Sequence, residues 1–283
     1  MVYAKTFSHT IESLMYEKEV YRYIQARIAK TDTLRRHFIS PIFTCAYGPA
    51  TSPRRIAVVT EDTGGISASN LMKNIDMTPM EYLAILFQVL YIISLLNGIG
   101  ISHNDIHLGN IIVTPRASGD FQSFRYNGSS FTIYPHSSMF NCKIYDFDRA
   151  SSLLGTNSIL DGKLCDLYGQ CNRMDSQKDV FNVFMLIHVW YVRPKLLARF
   201  QAIFWEEMYK VNMSEADRLR NIVNKNTSRE ENTFWQSFCD SAYAECAYVV
   251  SPLLEIGTFT TMFVAAMKRY DIRDDDSVKM IVE

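Results

Sequence analysis

The sequence lacks a surplus of charge of either sign. It has 29 Lys and Arg side chains against 30 Asp and Glu, so its formal net charge is −1. A chain so nearly neutral has no overall electrostatic field that would attract nucleic acid or an anionic membrane surface. We therefore expect neither nucleic acid nor membrane as a partner, and local motifs must identify the ligands.

Cysteine motifs, targeting segments and repeats are also lacking. The six cysteines form no CxxC pair and no metal-ligand spacing, which is typical of a reduced intracellular protein. The N-terminus has a charge at Lys5 and no apolar core of a signal peptide, and no window approaches 18 uninterrupted apolar residues. The sequence therefore predicts a soluble, cytoplasmic protein without a targeting signal.

What is present is the composition of a folded protein, 48% hydrophobic and 13% aromatic over 283 residues. This length suits one large domain or two lobes that share a cleft. Apolar patterning predicts a mixed first third and a helical last third, which is an α+β arrangement. Strands are predicted at 2–7, 42–46, 56–60, 111–113 and 143–145, with an expanded hairpin over 114–141 that holds a strand at 131–134. Helices are predicted at 10–27, 179–192, 196–210, 214–224, 230–246 and 258–270.

One helix has a clear start signal. Thr78 offers a hydroxyl N-cap, Pro79 suits the first helical position, and Glu81 completes a capping box. The pattern predicts a helix from there to about Asn97. Its apolar residues are spread nearly all round, as in a helix that lies inside a core.

The sharpest motif is His103-Asn104-Asp105, followed by Asn110, a strand, a hairpin, a second strand and Asp146-Phe147-Asp148. This order resembles the protein kinase superfamily, whose catalytic loop reads HRDxxxxN and whose metal-binding turn reads DFG. The resemblance implies a two-lobed fold, with a truncated small β lobe at 1–63 and a mainly helical large lobe at 64–283. Together the two lobes would form one kinase-like domain.

The resemblance implies a role for each polar residue of these motifs. Asp105 would orient the substrate hydroxyl and accept its proton, while Asn110 and Asp146 would bind Mg²⁺ with hard oxygen ligands. His107 stands where many protein kinases carry a lysine that touches the transferring phosphate, and it would donate to that phosphate. Asp179 resembles the aspartate that braces the backbone of the catalytic loop, and His103 is expected to be structural.

Lys5 resembles the lysine of the VAIK strand, which holds the α- and β-phosphates of ATP, and Glu17 resembles its helical partner. Glu17 falls on the apolar stripe of the first predicted helix, at helical spacing from Val20 and Ile24. A buried carboxylate needs a cation or other strong partner. The alternative is a surface lysine near a frayed terminus.

The same resemblance puts Thr60 at the back of a nucleotide pocket. Glu61, Asp62 and Thr63 would form the hinge whose main chain pairs with adenine. Hinge residues contribute mainly main-chain groups, so a simple linker between strand and helix would have the same sequence.

Four features depart from the family pattern. Only four residues precede Lys5, so this sequence does not contain the glycine-rich loop. Either the true start lies upstream, or the protein holds nucleotide without the loop, or nucleotide binding is lost. Asn104 replaces the arginine that pairs with a phosphorylated activation segment, so switching by phosphorylation is not expected. Asp148 replaces the glycine of DFG and adds a carboxylate near the metal. Residues 149–178 contain no APE motif.

Three functions fit these observations. The first is a serine/threonine protein kinase that uses ATP and Mg²⁺ on a protein substrate of unknown identity. It most resembles the small kinases of large DNA viruses and, more loosely, haspin-like kinases, which would place it in a host cytoplasm or virion. The second is a pseudokinase or scaffold, which the missing glycine-rich loop favours. The third is a small-molecule kinase, since that branch also combines HxDxxxxN with an aspartate turn. The sequence leaves the oligomeric state open.

Overall fold

A computed structural model describes the main-chain path of most of the protein. The described residues are 2–6, 11–28, 37–47, 55–74, 77–115, 122–126, 129–133, 140–157, 160, 175–188, 197–227, 250–271 and 280–282. These residues form small antiparallel sheets and seven α-helices, so the expected α+β class is confirmed.

The described strands are β1 Val2–Thr6, β2 Pro41–Tyr47, β3 Arg55–Glu61, β4 Ile66–Ser67, β5 Ile101–Ser102, β6 Ile111–Pro115, β7 Gln122–Tyr126, β8 Ser129–Ile133, β9 Phe140–Ile144, β10 Ser151–Ser152 and β11 Met280–Val282. The helices are α1 Ile11–Arg27, α2 Ala68–Asn74, α3 Pro79–Gly98, α4 Ser176–His188, α5 Ala198–Val211, α6 Met213–Thr227 and α7 Ile256–Asp271. Short 3₁₀ turns lie at Leu108–Asn110, Phe147–Arg149 and Pro252–Leu254.

The first sheet has the strand order β1-β3-β2, and both pairings are antiparallel. Helix α1 packs against this sheet and against the turn at Phe147–Arg149. Its buried side chains follow helical spacing, from Glu17 through Val20, Tyr21 and Ile24 to Ile28. The helix therefore connects the small sheet to the turn that carries Asp146. The expected lobe boundary after residue 63 falls in the turn between β3 and β4.

Helix α3 is the centre of the core. The predicted capping box is confirmed: the Thr78 hydroxyl accepts from the Glu81 N–H at 3.2 Å, and the Glu81 carboxylate accepts from the Thr78 N–H at 2.7 Å. The helix is long and apolar enough to cross a membrane by length and composition, but 78% of its most apolar window is buried within the protein. Burial on nearly every side explains why the sequence shows no single apolar face.

The sequence located most elements and missed others. The predicted hairpin over 114–141 contains β7, which was not predicted, and β9 begins at Phe140 rather than at 143. Strand β11 was also not predicted; it pairs with β8 through Met280 and Ile133. The helix predicted at 230–246 lies outside the described residues.

Candidate functional site

Asp179, at the start of α4, holds the backbone of the loop that carries Asp105. One carboxylate oxygen accepts from the His103 N–H and the other from the Asn104 N–H, both at 2.7 Å. Burial raises the pKa of Asp179 to about 7, while the two N–H donors favour the ionised form. Because both oxygens act as acceptors, we assign the carboxylate form. The predicted contact between Asp179 and the loop backbone is confirmed.

His103 is a fully buried structural residue, as expected. Its Nε2 lies 3.0 Å from the Tyr145 carbonyl and its Nδ1 accepts from the Asp105 N–H at 3.3 Å. These two contacts are those of a neutral imidazole protonated on Nε2. Burial lowers the pKa of His103 to about 4, which also favours the neutral ring. The ring packs on Phe147, with centroids 4.8 Å apart.

Asp105 lies at the centre of a group of three donors. The Asn110 amide nitrogen is 3.0 Å from its carbonyl oxygen and 3.3 Å from Oδ2. The Arg149 guanidinium is 3.4 Å from Oδ1, and His107 Nε2 is 3.6 Å from Oδ2. Burial raises the pKa of Asp105, but the neighbouring His107 and Arg149 outweigh it and lower the pKa to about 2. The carboxylate is therefore ionised at neutral pH.

The imidazole of His107 faces Asp105. Its Nδ1 accepts from the Gly109 N–H at 3.0 Å, which leaves the Nε2 proton directed toward the carboxylate. Gly109 allows this arrangement because a Cβ there would lie 2.7 Å from His107 Cε1. The ring is thus oriented to position Asp105, in addition to any contact with a phosphate.

The turn that carries Asp146 has an unusual backbone. Asp146 has φ 72° and ψ 63°, the left-handed conformation that residues with a Cβ rarely adopt. Its N–H donates to the hydroxyl of Tyr21 on α1 at 3.1 Å. The next residue, Phe147, is fully buried and makes an edge contact with Tyr21 at 5.2 Å. Helix α1 therefore contacts this turn through both the ring and the hydroxyl of Tyr21.

Two asparagine amides fix the chain after the turn. Asn104 donates to the Arg149 carbonyl at 2.9 Å. Asn157, fully buried, donates to the carbonyls of Asp148 at 2.8 Å and Ala150 at 2.9 Å. Neutral amides therefore hold the main chain next to the proposed metal ligand.

A cavity of about 370 Å³ opens between α1, the first sheet and β6. Its lining includes the five residues that the sequence assigned to nucleotide binding and that have described side chains: Glu17, Thr60, Glu61, Asp62 and Thr63. Tyr21 and Tyr145 complete the wall nearest to Asp146. The Tyr145 N–H donates to the Asn110 carbonyl at 3.2 Å, so this wall is bonded to the loop that carries Asp105.

The side chains of the three residues assigned to the hinge all bond to other groups of the protein. Asp62 Oδ1 accepts from the Gly64 N–H at 2.9 Å, and Thr63 Oγ1 accepts from the Gly65 N–H at 3.2 Å. Glu61 forms an ion pair with Lys143. The main-chain N–H of Glu61 also bonds within the protein, to the Ser40 carbonyl at 2.9 Å, so pairing of adenine with this segment stays a prediction.

Lys5 and Glu17 are placed only in part. The main chain of Lys5 pairs with Val58 in the sheet, and its side chain lies outside the described part of the chain. Glu17 is 1% exposed and shares a hydrogen bond with the Tyr21 hydroxyl. The expected ion pair with Lys5 stays a prediction.

Asn110 and Asp146 are the residues that the sequence assigns to Mg²⁺. The Asn110 amide nitrogen bonds to Asp105, so a cation would meet its amide oxygen, and Asp146 would add a carboxylate. Within the described ranges no cluster of three or more His, Cys, Asp or Glu side chains could hold a metal. Two oxygen ligands, completed by phosphates and water, are a usual set for Mg²⁺.

Comparison of the sequence with models of known protein families and with curated proteins finds no match. The motif order and these contacts are therefore the support for a kinase-like site, which stays a prediction. The sequence did not single out Tyr21, Arg149 or Asn157. Tyr21 had a readable signal, since it lies four residues after Glu17 on the same face of a helix.

Proposed function

We propose that this chain is a member of the protein kinase superfamily that transfers the γ-phosphate of ATP to a serine or threonine hydroxyl of a protein. The carrying observation is that the nucleotide-assigned residues with described side chains line one cavity, and that two tyrosines of its lining bond to Asp146 and Asn110, which do not line it themselves. These are Tyr21, which bonds to Asp146, and Tyr145, which bonds to Asn110.

The cavity supports a nucleotide site. Its volume lies within the usual range for sites of small molecules and cofactors. Adenine would pair with the main chain of the hinge, because the side chains of Asp62 and Thr63 already bond within their turn. The phosphates would extend toward Tyr145 and the Asp146 turn.

Asn110 and Asp146 would bind Mg²⁺, which neutralises charge on the phosphates when bound. Asp105 would orient the substrate hydroxyl toward the γ-phosphorus and accept its proton as the bond to the leaving oxygen breaks. A carboxylate whose pKa is about 2 is a weak base. Its main contribution is therefore orientation, which suits a loose transition state that needs little proton abstraction early.

The test combines binding and transfer. We expect ATP with Mg²⁺ to raise the Tm of the purified chain, and the Asp146→Asn variant to lose the magnesium-dependent part of the shift. We also expect transfer of labelled γ-phosphate to a mixed protein substrate, abolished by Asp105→Asn. No shift at saturating ATP and Mg²⁺ would refute the kinase assignment.

A scaffold function is the second candidate, and one contact favours it. The Arg149 guanidinium lies 3.4 Å from Asp105 Oδ1, on the carboxylate that a substrate hydroxyl must approach. Magnesium-dependent ATP binding without transfer, even after Arg149→Ala, would support a scaffold.

A further inference from the structure

Tyr21 is a side chain through which α1 bonds to the Asp146 backbone. Its hydroxyl accepts from the Asp146 N–H at 3.1 Å and shares a second hydrogen bond with the Glu17 carboxylate. Since the oxygen accepts from Asp146, its own proton is available for Glu17. Tyr21 is 3% exposed, so water does not compete freely for these bonds.

The bond acts at a place where the backbone needs support. Asp146 adopts a left-handed conformation that is unfavourable for any residue with a Cβ. Such conformations persist where the surrounding structure holds them, and they concentrate at functional sites. The Phe147 ring is fixed by packing between His103 and Tyr21, but packing alone gives the Asp146 N–H no partner.

We propose that the Tyr21 hydroxyl is a positioning group that holds the Asp146 turn in its metal-binding conformation and couples it to helix α1. The inference rests on the proposed function, in which Asp146 binds Mg²⁺. Glu17, the expected partner of Lys5, and Asp146 are then joined through one oxygen atom. A shift of α1 would disturb the phosphate side and the metal side of the site together.

Ionisation of the Tyr21 phenol does not interrupt its hydrogen bond to Glu17 at neutral pH. Burial raises the pKa of Tyr21 well above its usual range, and the Glu17 charge raises it further. The hydroxyl therefore keeps its proton, and with it the bond to Glu17, throughout the range in which the protein would be assayed.

The Tyr21→Phe variant removes one oxygen and keeps the ring that packs on Phe147. We expect the Mg²⁺ concentration that gives half of the ATP-dependent Tm shift to rise about tenfold, since one buried hydrogen bond corresponds to roughly that factor in an equilibrium. ATP binding without metal should weaken by a smaller factor than the Mg²⁺ requirement rises, since it does not need Asp146, although the substitution also removes the hydrogen bond to Glu17.

Tyr82→Phe is the matched control. Tyr82 is fully buried, and its hydroxyl donates to the Leu186 carbonyl at 3.0 Å, away from the site. It loses a comparable bond and should lower the Tm of the unliganded protein while leaving the Mg²⁺ requirement unchanged. A purely structural role for Tyr21 predicts that the two variants behave alike.

Hydrogen exchange of the unliganded protein gives a second readout that needs no nucleotide. Amides at 146–149 should exchange about tenfold faster in Tyr21→Phe than in Tyr82→Phe, because the turn opens more often. Equal exchange and an equal Mg²⁺ requirement would overturn the inference, with the proposed function intact if the wild type still binds ATP with Mg²⁺. If Tyr21→Phe exchanges faster but the wild type binds no ATP, the proposed function is refuted and the hydrogen bond from Tyr21 to the Asp146 turn is supported.

Discussion

Acid should destabilise this protein through His188, which ends α4 inside an aromatic cluster. Its ring centroid is 4.6 Å from both Phe184 and Trp205 and 6.1 Å from Phe204. Among the described residues its buried Nε2 has no hydrogen-bond partner. Burial lowers the pKa of His188 to about 3, because a charged imidazolium cannot be solvated there.

The magnitude follows from proton linkage. In the unfolded chain this histidine has a pKa of about 6.5, so below that pH the unfolded state binds a proton that the folded state does not. The stability contributed by the neutral ring is therefore fully present above pH 6.5 and is lost as pH falls. Between pH 7.5 and pH 5 the loss is about 2 kcal/mol. His103, whose pKa burial lowers to about 4, adds a loss of similar size.

The perturbation is His188→Phe, which keeps an aromatic ring and removes the titrating group. We expect its loss of unfolding free energy between pH 7.5 and pH 5 to be smaller than that of the wild type by about 2 kcal/mol. Urea unfolding followed by tryptophan fluorescence measures the unfolding free energy of the variant and of the wild type at each pH. The control Phe263→Leu, whose ring packs on Phe200 and Phe204, should lower stability by about 1 kcal/mol at every pH, because it changes packing away from the titrating group. Identical pH dependence in His188→Phe and wild type would refute the reasoning.

Two further predictions concern the loop that carries Asp105. In Asp179→Asn one carboxylate oxygen becomes an NH₂ that faces an N–H donor, so we expect the unfolding free energy in urea to fall by about 3 kcal/mol. The control Asp175→Asn should lower it much less. Equal losses would contradict a specific role of Asp179 in holding the loop. In Gly109→Ala the new Cβ would lie 2.7 Å from the His107 ring and displace it from Asp105, so we expect a lower kcat for phosphate transfer with an unchanged KM for ATP. An unchanged kcat would show that His107 does not act through Asp105.

The elements that the sequence predicted well are those with local signals. The start of α3 needs only Thr78, Pro79 and Glu81, and each lies within one helical turn of the others. Strand β11 and the outer hairpin had no such signal. Their pairing joins Met280 to Ile133, which are far apart in the chain, and the β7 segment is too polar to stand out as a strand.

The candidate site divides in the same way. Asp105 and Asn110 could be named from their spacing along the chain, and Asp146 from its place directly after the second strand. The contacts of Tyr21 and Arg149 could not, since each depends on how a distant element packs. The orientation of His107 also depends on a hydrogen bond to the Gly109 main chain, which side-chain types alone do not disclose.

The asparagine at position 104 links the local sequence to regulation. An arginine there would need an anionic partner such as a phosphorylated side chain, whereas the Asn104 amide needs only a carbonyl and bonds to that of Arg149. Asn157 adds bonds to two more carbonyls in the same segment. Hydrogen bonds between neutral amides and main-chain carbonyls depend little on salt or on phosphorylation. In the proposed kinase, the chain next to Asp146 would then be ordered at all times, and control would act on α1 through Tyr21 or on Asp105 through Arg149.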